Sequence, residues 1–185
     1  MIDLPTGRLR IVQAAPSFAA ACAVYARANR EHHAPWSPTR DSEYFEPEFW
    51  ETRLASAVAA FDAGTSYAFL VIANEAPERI AGEINFSNLI RGAFHAGYLG
   101  YALDGTFVGR GIMREALRAA LRWAFDEGKL HRVMANYMPS NKRSAAVLQA
   151  LGFRIEGVAP DYLFLDGAWR DHVLTALHAD EFSAG

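Results

Sequence analysis

Residues Tyr98 to Phe125, YLGYALDGTFVGRGIMREALRAALRWAF, read as an apolar strand, a turn broken by Gly109 and Gly111, and a long amphipathic helix. Glycine at those two positions lets backbone N–H groups come close to an anion, and the helix that opens there aims the positive end of its dipole at the same spot. A pyrophosphate fits such a cradle. From Met113 onward Ala116, Leu117, Ala120, Leu121 and Ala124 recur at helical spacing, while Arg114, Glu115, Arg118, Arg122 and Asp126 take the other face. The helix is expected to stop near Gly128. The G-x-G-x-x-G of a dinucleotide-binding turn is incomplete, because Arg114 stands where the third glycine belongs. By itself the Gly-Arg-Gly turn is equally well read as tight strand-to-helix packing, so its surroundings must decide.

Bulk properties narrow those surroundings. A chain of 185 residues, 51% of them apolar, is long enough for one sizeable core, and residues 1–185 are read as a single domain. A net charge of −3 supplies no general basic field for nucleic acid. Ribosome or RNA contact would therefore be local, with Arg110, Arg114, Arg118 and Arg122 as the basic patch. One cysteine excludes an internal disulfide, and Cys22 within FAAACAVYARA reads as a buried structural thiol. The N-terminal residues MIDLPTGRLRIVQA lack the apolar core of a secretory signal, and no run of about eighteen apolar residues occurs. The expectation is a soluble cytoplasmic protein without a membrane partner.

Along the chain, Arg8 to Val12 alternates as a strand, and Ser17 is the expected N-cap of a helix to about Glu31, broken by Pro35-Trp36-Ser37-Pro38. A second helix is expected over about Pro47 to Phe61, then strands Tyr67 to Ala73, Ile80 to Ser87 and His95 to Leu103. After the cradle helix come a strand His131 to Met138, a helix Asn141 to Leu151 and a strand Phe153 to Val158. A last hairpin, Tyr162 to Leu165 and Trp169 to Leu177, turns at Asp166-Gly167. The predicted fold class is α/β (α+β): a mixed, mainly antiparallel sheet with one parallel crossover through the cradle helix.

That order, the glycine turn, Asn141-Lys142-Arg143-Ser144 and the later Leu151-Gly152-Phe153 together resemble the GNAT N-acetyltransferases. The strings NFSNLIRGAFHAGYLGY, HRVMANYMPSNKRSAAVL and FLDGAWRDHVLTAL are similar to the Rim branch, which acetylates N-terminal amines of ribosomal proteins. The resemblance implies the GNAT fold with a splayed parallel strand pair, acetyl-CoA as co-substrate, no metal, and a protein N-terminus as acceptor. The N-terminal alanine of a small-subunit ribosomal protein is the implied substrate. Three positions depart from the family pattern. In the phosphate signature R/Q-x-x-G-x-G/A, aligned on Gly111, Val108 and Met113 replace the charged and the small residue. Their N–H groups remain, and Arg110 and Arg114 are nearby cations. Seven residues after Asn141, where many relatives have a proton-donating tyrosine, stands Leu148.

By this resemblance, the pantetheine arm pairs with the backbone of Gly100, Tyr101, Ala102 and Leu103, as an added strand. The pyrophosphate meets the amides of Val108, Gly109, Arg110, Gly111, Ile112, Met113 and Arg114, and amides near Leu99 and Gly100 face the thioester oxygen. Asn141 is read either as a helix cap or as a contact to the pantetheine arm. Ser144 is the candidate general acid for the leaving thiolate, against the alternative of an ordinary helical serine. Transfer is expected to be direct, since Cys22 has no partner histidine.

No general base stands out. Asp161 and Tyr162 at the last hairpin are substrate-side candidates, with Glu83 and His95 as further ones. An α-amine of pKa about 7.8 is roughly a quarter neutral near physiological pH, whereas a lysine is neutral about once in a thousand. A missing base thus favours an N-terminal acceptor. Trp36 is either a lid on the core or a wall for the substrate peptide. Asp41, Glu43, Glu46 and Glu48 are a solvated helix start or an attraction for a cationic N-terminus. Two other functions fit the same chain: acetylation of a small amine such as a polyamine or antibiotic, and a noncatalytic ribosome-assembly module.

Overall fold

The computed structural model describes residues 1–182; the last three residues of the predicted domain lie outside the described part. Eight strands form one sheet in the order β1-β2-β3-β4-β5-β6-β8-β7. They are β1 Asp3–Pro5, β2 Leu9–Gln13, β3 Tyr67–Ala73, β4 Ile80–Ile90, β5 Ala96–Leu103, β6 Arg132–Met134, β7 Arg154–Leu165 and β8 Ala168–His178. Every neighbouring pair is antiparallel except β5 and β6. The helices are α1 Ala19–Ala28, α2 Arg30–His33, α3 Pro47–Asp62, α4 Ile112–Asp126 and α5 Lys142–Ala150.

Side chains alternate across the sheet, which gives it two differently covered faces. Ile84 and Phe86 of β4, with Phe69, Val71 and Leu99, pack under α4, whose Ala116, Leu117, Ala120, Leu121 and Ala124 are completely buried. Alanines at the contact allow the helix to lie close to the strands. The opposite face carries Val12, Leu70 and Ile72 under Cys22, Ala23 and Tyr25 of α1 and Trp50 and Leu54 of α3. Cys22 is the buried thiol that its context implies; burial first, then the Glu83 charge, push its pKa up to about 12.

Four local expectations change. Ser17 does not cap a helix: Pro16 opens a 3-10 turn over Pro16–Phe18, which places Ser17 inside the turn, and α1 starts after Phe18 without a side-chain cap. The first helix is interrupted at Asn29, whose Nδ2 donates to the Tyr25 carbonyl and to Asp104 instead of leaving the backbone a regular path. The strand read over His131 to Met138 is limited to β6, because its continuation turns from β5 toward β8: the Ala135 amide donates to the Thr175 carbonyl, and Tyr137 bridges to Val173. The strands read at Phe153 to Val158 and Tyr162 to Leu165 are one bent strand, β7, with its register shift between Ala159 and Leu163. Asp161, at φ +46°, sits in that bend.

Candidate active site

The parallel strands β5 and β6 pair only over Ala96 to Tyr98, opposite Arg132 to Met134; beyond that they diverge. The register on the β4 side determines what β5 offers to this fork. The Asp104 amide donates to the Ala81 carbonyl at 2.8 Å, so Ala102 and Gly100, in phase with it, turn their polar groups toward β4. Tyr101 and Leu103 turn theirs into the fork. Of the four residues expected to meet pantetheine, Tyr101 offers an open N–H and C=O and Leu103 an open N–H. His33 Nε2 lies 2.9 Å from the Leu103 carbonyl and must donate, since a carbonyl only accepts.

At the end of β5 the chain makes a 3-10 turn and enters the glycine segment. Gly109 at φ +80° and Gly111 at φ +74° take the left-handed conformation that bends successive amides toward one point. Gly111 is the N-cap of α4, with no side-chain cap. Among the described residues, the amides of Gly109 to Arg114 have no protein acceptor. Unpaired donors at a helix start have the chemistry a pyrophosphate requires. Val108 and Met113 supply no charge there. Arg110 does not do so either: its guanidinium is engaged by Glu75 through two bonds of 2.8 and 2.9 Å. It is therefore not the compensating cation expected from its position, although its amide stays in the cradle. Arg114 is exposed. The segment is anchored from the residue before β2: Arg8 Nη1 donates to the Arg110 carbonyl and Arg8 Nε to Glu115.

Asn141 caps α5: its Oδ1 accepts from the Ser144 amide at 3.1 Å. The Ser144 hydroxyl is 2.8 Å from the hydroxyl of Tyr101, whose side chain leaves β5 on the α4/α5 face. Burial raises the Tyr101 pKa to about 12, against the hydrogen bond to Ser144, so it remains a neutral phenol. Leu148 is 1% exposed and belongs to the core. Sequence reasoning used only the backbone of Tyr101 and missed its hydroxyl; strand alternation, which sets Tyr101 on the face opposite Gly100 and Ala102, was the signal available.

Across the sheet, a Cβ built at Gly100 would meet nothing within 4 Å, so this side of the fork is open. The Tyr162 hydroxyl accepts from Asn136 Nδ2 at 3.1 Å and lies near the Tyr98 phenol of β5. Burial, then Tyr98, raises its pKa. Trp36 ends a 3-10 turn and is 38% exposed; the next residue, Ser37, accepts at its carbonyl from the Asp166 amide, joining this loop to the tip of the β7–β8 hairpin. Asp161 is exposed, and its amide is held by Asp171 Oδ1. His95 stands at the start of β5, away from the fork, with Nδ1 bonded to the Gly92 carbonyl of its own turn. Glu83 is directly opposite Ala102 and lines the groove beneath α3, whose rim carries Glu43, Glu46 and Glu48. Asp104, 4% exposed, is a further buried polar residue; it accepts from Thr106, Asn29 and Arg79 and ties the end of β5 to α1.

A strand fork thus lies beside a glycine cradle and a capped helix carrying an inward hydroxyl, and the chain belongs to the family described as acetyltransferase (GNAT) domain, matched over residues 8–154. It is 45% identical over 161 residues to the [ribosomal protein uS5]-alanine N-acetyltransferase of Escherichia coli, covering 87% of this chain and 82% of that one. The crystal structure of ribosomal-protein-S5-alanine acetyltransferase from Vibrio fischeri superposes with a TM-score of 0.94 at 39% identity, over 99% of this chain and 100% of the other. Mycobacterium smegmatis RimJ in complex with CoA-disulfide gives 0.89 at 31% identity, over 98% and 88%.

Proposed function

We propose that this chain is an acetyl-CoA-dependent acetyltransferase of the cytoplasm that acts on the N-terminal alanine of a small-subunit ribosomal protein. The 45% identity to the E. coli uS5-alanine enzyme across most of both chains carries this reading. Acetyl-CoA supplies the activated acetyl group. The amides of Gly109 to Arg114 hold the pyrophosphate, while that of Val108 is held by the Gly105 carbonyl, and the open groups of Tyr101 with the Leu103 amide align the pantetheine arm. The amine attacks the thioester carbon from the side of the sheet covered by α1 to α3. Ser144, backed by the Tyr101 phenol, gives a proton to the departing sulfur, and solvent restores the hydroxyl pair. Trp36 and Tyr162 flank the acceptor.

Peptides beginning Ala, Ser, Leu or Lys, and one with a blocked N-terminus and an internal lysine, test the assignment when offered with acetyl-CoA. The alanine peptide should be modified fastest, on its α-amine, as located by fragmentation mass spectrometry. Equal acetylation of the internal lysine would overturn the N-terminal assignment, and activity on polyamines alone would move the protein to the small-amine class.

A further inference from the structure

The glycine cradle is gripped from outside by a turn distant in sequence. Arg8 spreads its guanidinium over two groups there: Nη1 donates to the Arg110 carbonyl at 3.0 Å, while Nε and Nη2 each lie 2.7 Å from Glu115 Oε2 in the first turn of α4. The other Glu115 oxygen accepts from the Thr6 hydroxyl at 2.6 Å and from the Arg8 amide at 3.0 Å. Burial alone would raise the Glu115 carboxyl, but the bonds from Thr6 and Arg8 and the Arg8 charge hold it below the usual range, so it is an anion at neutral pH. Arg8 Nη2 is 3.7 Å from the position a Cβ at Gly111 would take, so the guanidinium backs that glycine directly. The turn carrying Arg8 is itself fixed. Its carbonyl accepts from the Asn74 amide at 2.9 Å, and the next residue, Glu75, holds the Arg110 side chain. Two adjacent turns thus grip Arg110, one at its side chain and the other at its carbonyl.

The carbonyl bond acts on the cradle through the peptide plane. In a trans peptide the Arg110 carbonyl and the Gly111 N–H point in opposite directions, so turning the carbonyl outward onto Arg8 turns the N–H inward. Glycine's wide range of φ leaves such a plane free to rotate unless something holds it. The bond from a guanidinium is also charge-assisted, and a hydrogen bond at an amide oxygen polarises the N–H of the same amide.

We infer that Arg8 is a positioning residue of the coenzyme site: it aims the Gly111 N–H at the pyrophosphate and lends that donor the positive character that Val108 does not supply. The inference rests on the acetyl-CoA reading above. Arg110 cannot take this role with its side chain, which Glu75 occupies. Arg8 acts without touching the phosphates, from a turn about a hundred residues away along the chain.

Coenzyme A and its pantetheine fragment separate positioning from plain support, since only the coenzyme carries a pyrophosphate. Arg8→Ala should weaken CoA binding about tenfold by calorimetry. It should raise KM for acetyl-CoA with kcat little changed, and leave kcat/KM for S-acetylpantetheine at the wild-type value. Thr6→Val removes a different bond to Glu115, so it should lower stability in denaturant while CoA affinity stays. Equal loss of CoA affinity in Thr6→Val would make Arg8 a support of the turn only and overturn the inference. Full CoA affinity in Arg8→Ala, or an equal loss on acetylpantetheine, overturns it too. Should Arg8→Ala not fold, Arg8→Lys decides, because one ammonium reaches the carbonyl or the carboxylate but does not bridge both: CoA affinity should fall about threefold, and wild-type affinity counts against Arg8. If the wild-type protein uses acetylpantetheine as well as acetyl-CoA, the coenzyme reading itself fails and the role of Arg8 falls with it. A preference for acetyl-CoA that survives intact in Arg8→Ala removes only the role of Arg8.

Discussion

On the α4/α5 face of the fork between β5 and β6, the working parts follow one another along the chain. Strand, glycine turn and helix start occupy one continuous segment, and Ser144 is held by Asn141 only three positions earlier. On the face under α1, α2 and α3, the parts come from scattered places: Tyr25, His33, Glu83, Tyr162 and the Ser37–Asp166 contact. In the proposed function the first face binds a ligand of constant chemistry through backbone donors, and backbone geometry leaves glycines and caps in the sequence. The second, in the same proposal, matches one particular acceptor with side chains that local pattern does not distinguish from core or surface residues.

The sharpest way to break this division is to fill the cradle. Gly111→Glu forces a side chain into φ +74° and brings a carboxylate to the phosphates, so coenzyme affinity should fall by about a thousandfold, roughly 4 kcal/mol. Calorimetry on the folded variant measures this, and an unchanged constant would remove the cradle from the coenzyme site. Acceptor-peptide binding to the free variant should survive.

Next in size is the hydroxyl pair. Ser144→Ala should lower kcat about a hundredfold and Tyr101→Phe about tenfold, both with little change in coenzyme binding, the pattern of an interaction made mainly in the transition state. A Ser144→Ala enzyme with full kcat under single-turnover conditions would leave Ser144 as a helix residue only.

Asp104 joins the two faces, and its loss should be felt on both. Burial alone would raise its carboxyl, but the bonds from Thr106 and Asn29 and the charge of Arg79 hold it below the usual range. Asp104→Ala leaves those donors without their acceptor and should cost about 2–3 kcal/mol in denaturant unfolding. A depressed folded pKa means that the stabilisation is complete above the unfolded value, near about 3.9, and disappears as pH falls through the folded one. The gap between wild type and variant should therefore be constant at neutral pH and close only in strong acid.

The smallest effect belongs to Asn141, where Asn141→Ala should cost about 1 kcal/mol of stability through the lost cap. A stability loss with no change in coenzyme affinity would confine Asn141 to capping; a joint loss would give it the pantetheine contact as well.

Much of the fold was legible. The strand Tyr67 to Ala73 and the 3.6-residue repeat of α4 were legible from their apolar patterns, Asp166-Gly167 marked its own turn, and Gly109 and Gly111 the break between strand and helix, because each of these depends on neighbours a few positions away. Where local signals misled, a distant partner had intervened. Asn29 was drawn out of its helix by Asp104, and residues after Met134 were drawn from β5 to β8, which opened the fork. What the sequence by itself determined is the coenzyme side: an anion cradle at a helix start, a capped helix presenting Ser144, and one mixed sheet. What only the tertiary structure decided is the pairing of Tyr101 with Ser144, the engagement of Arg110 by Glu75, and the reach of Arg8 to the Arg110 carbonyl. Those depend on which strand lies beside which and on which face a side chain emerges, and register carries that information over distances that no local pattern spans.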